Sequence, residues 1–383
     1  MSEQETYTQT EMKRFELDLE RFWAENAISL SVDCFSTDKP RAAILLPVDD
    51  HWLFDEMKVP STVRYYKDLD YRLELHRRCN DRCQREIGIR PFPEAILWPP
   101  PKRIEEVFGS YQVFTEGATP WLEPAVETIE DLVRIMDQVE RMDMADFIFQ
   151  DGVPDFPDAP PPDAEKPPRR MSSRGPATIG TSVCGTERYL YFLIDHPAEM
   201  QRFHELLAQK LVEYAHIMAD AMGVTPRGYS FLDDNCALLS PELYERFCAP
   251  VLQYVFDHLA PDADDWRYQH SDSAMDHLLP ILARFNFTAV NFGPTVRAID
   301  IRRHMPRTCI HGQVAPMTLR NAPYEAIIAE VRRDFEAVGR DGGLVITTAG
   351  SIAAGTTFDR IRCFMWAVDR YARYDGKTFD DAA

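Results

Sequence analysis

Short apolar segments alternate with longer amphipathic segments along most of the chain, and the alternation is most regular after residue 176. The short segments have the length of strands, and the longer ones repeat apolar residues at the spacing of helices. Repetition of strand, polar loop and helix predicts a parallel sheet with right-handed crossover connections. The predicted strands are residues 41–48, 177–183, 228–232, 266–271, 287–292, 308–314 and 344–348.

The segments before residue 177 are less regular. Helices are predicted over residues 11–26, 62–88 and 127–142, and residues 109–117 alternate like an edge strand. Residues 151–176 are rich in proline and are predicted to be a loop, because proline interrupts both helices and central strands. Its basic end allows two interpretations, a solvated loop or a lid that contacts an anion. The basic residues are Lys166, Arg169, Arg170 and Arg174.

Polar residues follow the predicted strands rather than precede them, which is typical of a (β/α)8 barrel with its site at the carboxyl ends of the strands. A chain of 383 residues can form one such barrel with insertions. We therefore predict an α/β fold with a single domain over residues 1–383, a (β/α)8 TIM barrel. An amino-terminal helical extension is expected at residues 1–38, and the proline-rich loop at residues 151–176.

The composition narrows the class of protein. A hydrophobic fraction of 45% is typical of a soluble globular protein, and the net charge of −20 disfavours nucleic acids and anionic membranes as partners. No apolar run reaches the ~18 residues of a membrane span. The eight cysteines are scattered, with no CxxC pair and no secretory signal ahead of them. We therefore predict a cytoplasmic protein with mostly reduced thiols.

Candidate chemistry is concentrated in residues 266–272, Trp-Arg-Tyr-Gln-His-Ser-Asp. Alternate side chains of a strand share a face, so Tyr268, His270 and Asp272 are expected to point the same way. An imidazole and a carboxylate at the end of a strand suit metal ligation or proton transfer. The alternative is a structural histidine followed by an aspartate that caps a helix.

Carboxylates and a second imidazole stand near the ends of other predicted strands. Asp49 follows the first strand, Asp233 and Asp234 follow the third, and His311 lies in the sixth. We predict that Asp233 and Asp234 orient a substrate or a histidine and that His311 assists His270. Asp49 is a candidate for proton transfer. An ordinary solvated strand end is the alternative for each position.

A loop of small residues, 349–357, follows the last predicted strand. Thr356 with Asp359 three positions later is typical of a helix cap. Backbone N–H groups at a helix start attract anions, so we predict that Gly350, Ser351 and Thr356 contact a cofactor or substrate. The alternative is that the loop is small only because it turns tightly.

Several stretches resemble a known family. Residues 231–244, FLDDNCALLSPELY, resemble a stretch typical of the uroporphyrinogen decarboxylase superfamily, and the likeness is continuous over about residues 177–374. The other stretches that carry it are residues 39–41, 185–187, 195–197, 270–272 and 312–314. The resemblance implies a (β/α)8 barrel enzyme, either a porphyrinogen decarboxylase or a metal-dependent methyltransferase that serves corrinoid proteins or thiols.

The chain departs from both branches of that superfamily. The arginine-rich signature by which true decarboxylases grip substrate carboxylates is not apparent. The methyltransferase branch binds zinc through a His-x-Cys pair and a later cysteine. Here Asp272 replaces the first cysteine after His270, and residues 349–351, Ala-Gly-Ser, occupy the region of the second. The resemblance therefore implies zinc or another divalent metal on His270, Asp272 and His311, in a harder site than one with thiolates.

We therefore predict an enzyme nearest the methyltransferase branch, acting with metal assistance on a small anionic or methylated substrate. A corrinoid supplied by a partner protein and a homodimer are further expectations from the resemblance. The predicted catalytic residues are His270, Asp272, Asp233, Asp234, His311 and Asp49. Two alternatives stay open. One is a cofactor-free decarboxylase or lyase acting on a carboxylated pyrrole or aromatic acid; the other is a barrel that binds a tetrapyrrole or corrinoid without chemistry.

Overall fold

The computed structural model describes residues 15–156, 159–161 and 164–376. Its strands are β1 (Ala43–Ile44), β2 (Tyr111–Val113), β3 (Trp121–Glu123), β4 (Pro168–Arg174), β5 (Thr225–Leu232), β6 (Arg267–Ser271), β7 (Ala289–Phe292), β8 (Cys309–Val314) and β9 (Leu344–Thr348). The main sheet has seven strands in the order β1-β9-β8-β7-β6-β5-β4, and every neighbouring pair is parallel. Strands β2 and β3 form a separate antiparallel hairpin.

The predicted α/β fold with a parallel sheet is confirmed. Strands β4 to β9 are neighbours in chain order, as the alternation of strand and helix predicts. The main sheet has seven strands where the (β/α)8 prediction requires eight. Strands β1 and β4 are its edges, and no pairing joins them in the described part of the chain.

Helices connect the strands and supply much of the core. The α-helices are Leu19–Ser31, Asp50–Met57, Thr62–Lys67, Leu69–Ile87, Ile104–Val107, Ile129–Val139, Met144–Ile148, Pro176–Cys184, Thr186–Asp195, Pro197–Met222, Pro241–Leu243, Ala249–Leu259, Leu279–Leu282, Ala298–His304, Pro316–Asn321, Tyr324–Asp334 and Phe358–Tyr371. Short 3-10 or π segments are Asp234–Leu238, Tyr244–Cys248, Asp276–Leu278, Ala283–Phe285 and Phe335–Gly339. No helix among the described residues is long and apolar enough to cross a membrane.

Local sequence signals explain several helix starts. Thr128 accepts a hydrogen bond from the backbone N–H of Asp131, and the Asp131 carboxylate accepts one from the Thr128 N–H, which completes a capping box. Ser240 accepts from the N–H of Leu243, and Pro241 takes the first helical position. These caps satisfy N–H groups that the first turn of a helix leaves free.

The strand predicted at residues 177–183 is wrong, because this segment is the helix Pro176–Cys184. The actual strand, β4, lies in the segment that we predicted to be an all-loop proline-rich stretch. Two conditions allow this. Strand β4 is an edge strand, where Pro168 need not donate to a neighbour on both sides. Gly175 ends the strand, and a side chain there would collide with Asp233, since a Cβ atom would lie 2.2 Å from the Asp233 Cβ atom.

A smaller correction concerns the first helix of the amino-terminal part. The first described helix runs over Leu19–Ser31, later than the predicted residues 11–26, because the Asp18 carboxylate caps the N–H of Arg21. Residues 11–14 of the predicted helix lie outside the described residues. Six cysteines are free, in line with the prediction of mostly reduced thiols, and Cys34 and Cys309 form a disulfide that ties the end of this segment to β8.

The inward face of the main sheet has two levels. Register pairs place Leu232, His270 and Asn291 side by side near the carboxyl ends of β5, β6 and β7. His311 instead pairs with Val345, nearer the amino ends. That lower level contains a small second core of four residues, Ala43, Ala289, Cys309 and Val345. Trp266 and Tyr268 pack against this core. The two levels therefore separate His270 from His311.

Candidate metal site at the carboxyl ends of the strands

Three side chains meet where β5 and β6 end: Asp234, His270 and Asp272. Each offers one ligand atom, and the three atoms lie within 4.8 Å of one another. The His270 Nε2 atom is 3.3 Å from the Asp272 Oδ1 atom and 3.9 Å from the Asp234 Oδ1 atom. We call these three residues the mouth group. In the described part of the chain, no other set of three such side chains comes together in this way.

Asn291 orients the imidazole of the mouth group. Its amide N–H2 donates to the backbone oxygens of His311 and Thr348, so its Oδ1 atom faces the His270 Nδ1 atom at 2.8 Å. The Gly350 N–H donates to the same oxygen. An oxygen at this place requires the proton on Nδ1 and directs Nε2 at the two carboxylates. Nε2 carries a proton when the ring is charged and a lone pair when it is neutral. Asn291 is not among the predicted site residues, because its register pairing with His270 cannot be read from the sequence.

The two carboxylates are joined through the backbone and face the exterior. The Asp234 Oδ1 atom accepts a hydrogen bond of 2.7 Å from the Asp272 N–H, which ties the loop after β5 to the end of β6. The Asp234 and Asp272 side chains are 47% and 53% exposed, whereas His270 is 16% exposed. The imidazole therefore lies beneath two accessible carboxylates, a geometry that leaves room for a ligand above it.

The electrostatics of the mouth group favour a positive charge. Burial alone would lower the pKa of His270, but the hydrogen bond and charge of Asp272, with the charge of Asp234, outweigh it and raise the pKa. The same field that stabilises an imidazolium would stabilise a metal cation on Nε2 and the carboxylate oxygens.

Asp233 has a different position from the one predicted. It is fully buried, and its Oδ1 atom accepts from the N–H and the hydroxyl of Thr178, each at 2.8 Å. Burial raises the pKa of Asp233 to about 6. A side chain with no exposed surface cannot touch a substrate. Asp233 therefore holds the helix Pro176–Cys184 against the end of β5.

Asp49 lies in the wall of a mouth cavity of about 510 Å³, beside the mouth group. Its carboxylate accepts from the N–H of Trp52 at 3.1 Å and so caps the helix Asp50–Met57. The cavity is also lined by His51, Asp272, Pro294, Ala315, Pro316, Met317, Ala349, Ser351, Ile352, Ala353 and Ala354. Asp49 is thus close to the site but belongs to a helix cap.

His311 is not part of the mouth group, and Asp234 takes the third position that we predicted for it. The His311 ring lies at the lower level, with its centroid 5.8 Å from the Tyr268 ring and 6.3 Å from the Trp266 ring. Burial, helped by the charge of Arg170, lowers the pKa of His311 to about 4. The structure therefore separates the two histidines that the sequence predictions combined.

The loop at residues 349–357 contacts the mouth group, but two of its predicted contacts with a cofactor or substrate differ from the prediction. The N–H of Gly350 is taken by Asn291, and a Cβ atom at Gly350 would lie 2.3 Å from the Asp272 Oδ1 atom. The predicted Thr356 cap is wrong, since the Thr356 hydroxyl donates to the Ala353 oxygen and the helix begins after Thr357. Ser351 lines the mouth cavity.

By fold and site, this is an α/β protein whose candidate site lies at the carboxyl ends of parallel strands, where barrel enzymes carry theirs. Residues 167–371, more than half of the 383 residues, match the family model described as uroporphyrinogen decarboxylase (URO-D). The chain belongs to this family, as the resemblance implied. No curated protein matches the chain significantly.

A solved structure agrees with the fold. A methyltransferase from Methanosarcina mazei superposes with a TM-score of 0.59 at 16% identity, over 92% of this chain and 99% of that one. A B12-independent methionine synthase from Shewanella sp. W3-18-1 has a TM-score of 0.40 at 11% identity, over 76% of this chain and 85% of that one. At such low identity, the first likeness concerns the fold alone.

Proposed function

We propose that this chain is a metal-assisted methyltransferase of the uroporphyrinogen decarboxylase family, with the mouth group as its metal site. The observation that carries the proposal is the meeting of one imidazole nitrogen and two carboxylates within 4.8 Å, with the imidazole oriented by Asn291. A histidine whose other ring nitrogen is held by a hydrogen-bond acceptor is the usual arrangement of a metal ligand.

The donor set fits a divalent cation of intermediate hardness, such as zinc or a first-row transition metal. Asp234, His270 and Asp272 would hold it. When bound, such a cation supplies Lewis-acid polarisation of a substrate oxygen or nitrogen. The mouth group contains no thiolate, which makes the site less suited to activating a soft thiol than the His-x-Cys site of the family's methyltransferase branch.

The mouth cavity supports a small methylated substrate that is uncharged or cationic. Apolar walls are supplied by residues such as Pro294, Met317 and Ile352, and the carboxylates are Asp49 and Asp272. Among the described residues that line the cavity, none is lysine or arginine. A carboxylated pyrrole or aromatic acid would meet carboxylates there, so decarboxylation gains no support. The same argument disfavours the anionic substrate in our sequence prediction.

Other parts of the sequence prediction belong to this proposal. The chain forms one domain over residues 1–383, and the sheet closes as a barrel across its β1 and β4 edges. The protein works in the cytoplasm as a homodimer. A corrinoid on a partner protein exchanges the methyl group with the small substrate.

Metal analysis tests the site directly. Protein purified without chelator, or incubated with Zn²⁺ or Mn²⁺ and desalted, should hold about one equivalent of metal. His270→Ala and Asp272→Ala should lose it, because each removes a ligand atom. His311→Gln is the matched control and should keep the metal, because His311 lies outside the mouth group. Metal retained in His270→Ala, at wild-type thermal stability, would overturn the assignment.

Asn291 provides a finer test of the same site. Asn291→Ala should weaken metal affinity about 10–100-fold, because the His270 ring loses its orienting acceptor. Asn291→Asp keeps an oxygen opposite Nδ1 and should retain more of the affinity. Equal affinity in Asn291→Ala and wild type would show that the imidazole is not held for a metal.

The reaction class has its own assay. Metal-loaded protein is mixed with reduced cobalamin and a methylated amine or methyl ether, and methylcobalamin is followed by its absorption spectrum. The substrate's carbon–nitrogen or carbon–oxygen bond breaks, the cobalt–carbon bond forms with the electron pair of reduced cobalt, and the leaving group takes a proton. We expect methylcobalamin in wild type and none in His270→Ala. Carbon dioxide release from an aromatic acid by metal-free protein would instead favour a lyase.

A further inference from the structure

A second and larger cavity lies at the other end of the sheet. Its volume is about 1280 Å³, and it shares no lining residue with the mouth cavity. Residues at or just before the amino ends of four strands line it, namely Pro168, Trp266, Ala289 and Cys309. Some of its lining residues, such as Asp264 and Arg307, are exposed, so the cavity opens to solvent and a ligand can enter it. We call it the amino-end cavity.

The inner wall of the amino-end cavity is aromatic and carries an imidazole without a partner. The Trp266 and Tyr268 rings are stacked, with centroids 5.5 Å apart and planes inclined by 13°. The Trp266 Nε1–H donates to the Ser230 hydroxyl at 3.0 Å, which fixes the indole. The His311 ring, which lines the cavity, has no hydrogen-bond partner among the described residues. Its low pKa keeps it neutral, able to donate one hydrogen bond and accept another.

The positively charged side chain of Arg170 lies at the edge of this wall. The Arg170 guanidinium lies 3.9 Å from the centroid of the Trp266 ring. Within the described part of the chain, no carboxylate or carbonyl oxygen accepts from it. Three other cations that line the cavity are engaged, and a fourth, Arg307, is an exposed side chain. Arg227 pairs with Asp265, Arg267 donates to the Ala260 oxygen, and Lys39 donates to the Cys34 oxygen. Arg170 is therefore positioned and charged but not neutralised.

Three carboxylates line the cavity, and within the described residues none of them is paired with Arg170. The exposed Asp264 acts on Arg227, and the other two accept hydrogen bonds from other groups. The Asp265 carboxylate accepts from Arg227 and from the Asp262 N–H. The Asp33 carboxylate accepts from the Phe35 N–H. The positive charge of Arg170 thus faces the amino-end cavity, beside the Trp266 and His311 rings.

We propose that the amino-end cavity binds a small planar aromatic anion, with its ring against Trp266 and His311 and its carboxylate on Arg170. A planar guanidinium prefers a carboxylate, which it can bind through two parallel hydrogen bonds. The Trp266 and His311 rings both line the cavity, with centroids 6.3 Å apart, and aromatic rings of this kind pack well against a flat ligand ring. This site is independent of the proposed methyl transfer, since it shares no residue with the mouth group.

The test uses naphthalene-2-carboxylate as the probe and calorimetric titration of the full chain. Wild type should bind the carboxylate at least about tenfold more tightly than the uncharged naphthalene-2-carboxamide, because only the anion engages Arg170. Arg170→Gln should remove this difference. The matched control is Arg169→Gln, which makes the same charge change at the neighbouring exposed arginine outside the cavity lining and should leave the difference intact.

Two outcomes would overturn the proposal. One is equal affinity of the carboxylate and the carboxamide for wild type, a comparison that requires no variant to fold. The other is an equal loss in Arg170→Gln and Arg169→Gln, which would indicate a diffuse charge effect. His270→Ala locates the binding: unchanged affinity places the probe away from the mouth, whereas a loss would place it in the mouth cavity and refute the assignment.

Discussion

The mouth group and the amino-end cavity each contain a histidine on the inward face of one sheet, yet their surroundings act on these histidines in opposite directions. At the mouth, two carboxylates raise the pKa of His270 despite its burial. At the amino end, burial and the charge of Arg170 lower the pKa of His311 to about 4. The surroundings of His270 therefore favour a positive charge, whereas those of His311 favour a neutral imidazole.

The contrast shows that the position of a histidine along its strand determines the direction of its pKa shift, since the two residues are chemically identical. His270 is the fourth residue of the five in β6, and the chain turns into Asp272 immediately afterwards. His311 is the third of six residues in β8, so the following strand residues separate it from the mouth. Loops that carry carboxylates follow the strands, and only a side chain near the strand end can meet them.

The largest effect is expected from Gly350→Ala, which tests whether the mouth group depends on close packing. The φ of Gly350 is +96°, and a Cβ atom would lie 2.3 Å from the Asp272 Oδ1 atom. The strained backbone should cost about 1–2 kcal/mol of unfolding free energy. Displacement of the Asp272 carboxylate should also lower metal affinity by about tenfold or more.

Gly117→Ala is the control for the backbone part of this effect. Gly117 has a φ of +80°, but nothing lies within 4 Å of a Cβ atom there. Denaturant unfolding should give similar losses for the two variants, and calorimetric metal titration should separate them. If Gly350→Ala binds metal as wild type does, Asp272 is not needed in its present position.

The opposite pKa shifts should appear as opposite slopes of stability against pH in chelator-treated protein. The folded pKa of His270 is raised, so its contribution is present below the unfolded value of about 6.5 and is lost as pH rises through the folded value. The folded pKa of His311 is lowered, so the protein loses stability as pH falls from about 6.5 towards 4. For His311 this loss is up to about 2 kcal/mol between pH 7 and pH 5.

Denaturant unfolding at pH 5 and pH 8 checks this contrast. Relative to wild type, His311→Gln should gain stability on acidification, whereas His270→Gln should lose it. His258→Gln, at an exposed helix end, controls for the removal of a histidine as such. Slopes of the same sign for His270→Gln and His311→Gln would contradict the electrostatic difference between the two sites.

The smallest effect concerns Asp49, the mouth residue that we interpret as a cap. Asp49→Ala should cost about 1 kcal/mol of unfolding free energy, because the Trp52 N–H loses its acceptor. Asp49→Asn keeps the cap and should unfold as wild type does. Both variants should retain metal, and at saturating substrate both should turn over at the wild-type rate. An activity loss in Asp49→Asn at unchanged stability would make Asp49 part of the chemistry after all.

Much of the fold was predictable because it depends on local patterns. The strands from β5 to β9 and the helix that begins after Ser240 follow from apolar spacing and capping residues. Strand β4 was not predictable in this way. Its proline-rich segment contradicts the usual composition of a strand, and only its edge position makes it tolerable. The apolar segment 177–183 could be a buried strand or a buried helix by its pattern alone.

The sequence by itself determined that polar chemistry follows the strands and that His270 and Asp272 stand together, because two positions of one strand end are fixed by local geometry. Only the tertiary structure decided that Asp234 joins them, that Asn291 orients the imidazole and that His311 lies elsewhere. These facts depend on the register between neighbouring strands, such as the pairing of His270 with Asn291 and of His311 with Val345. Register is set by the packing of the whole sheet, which no local spacing encodes.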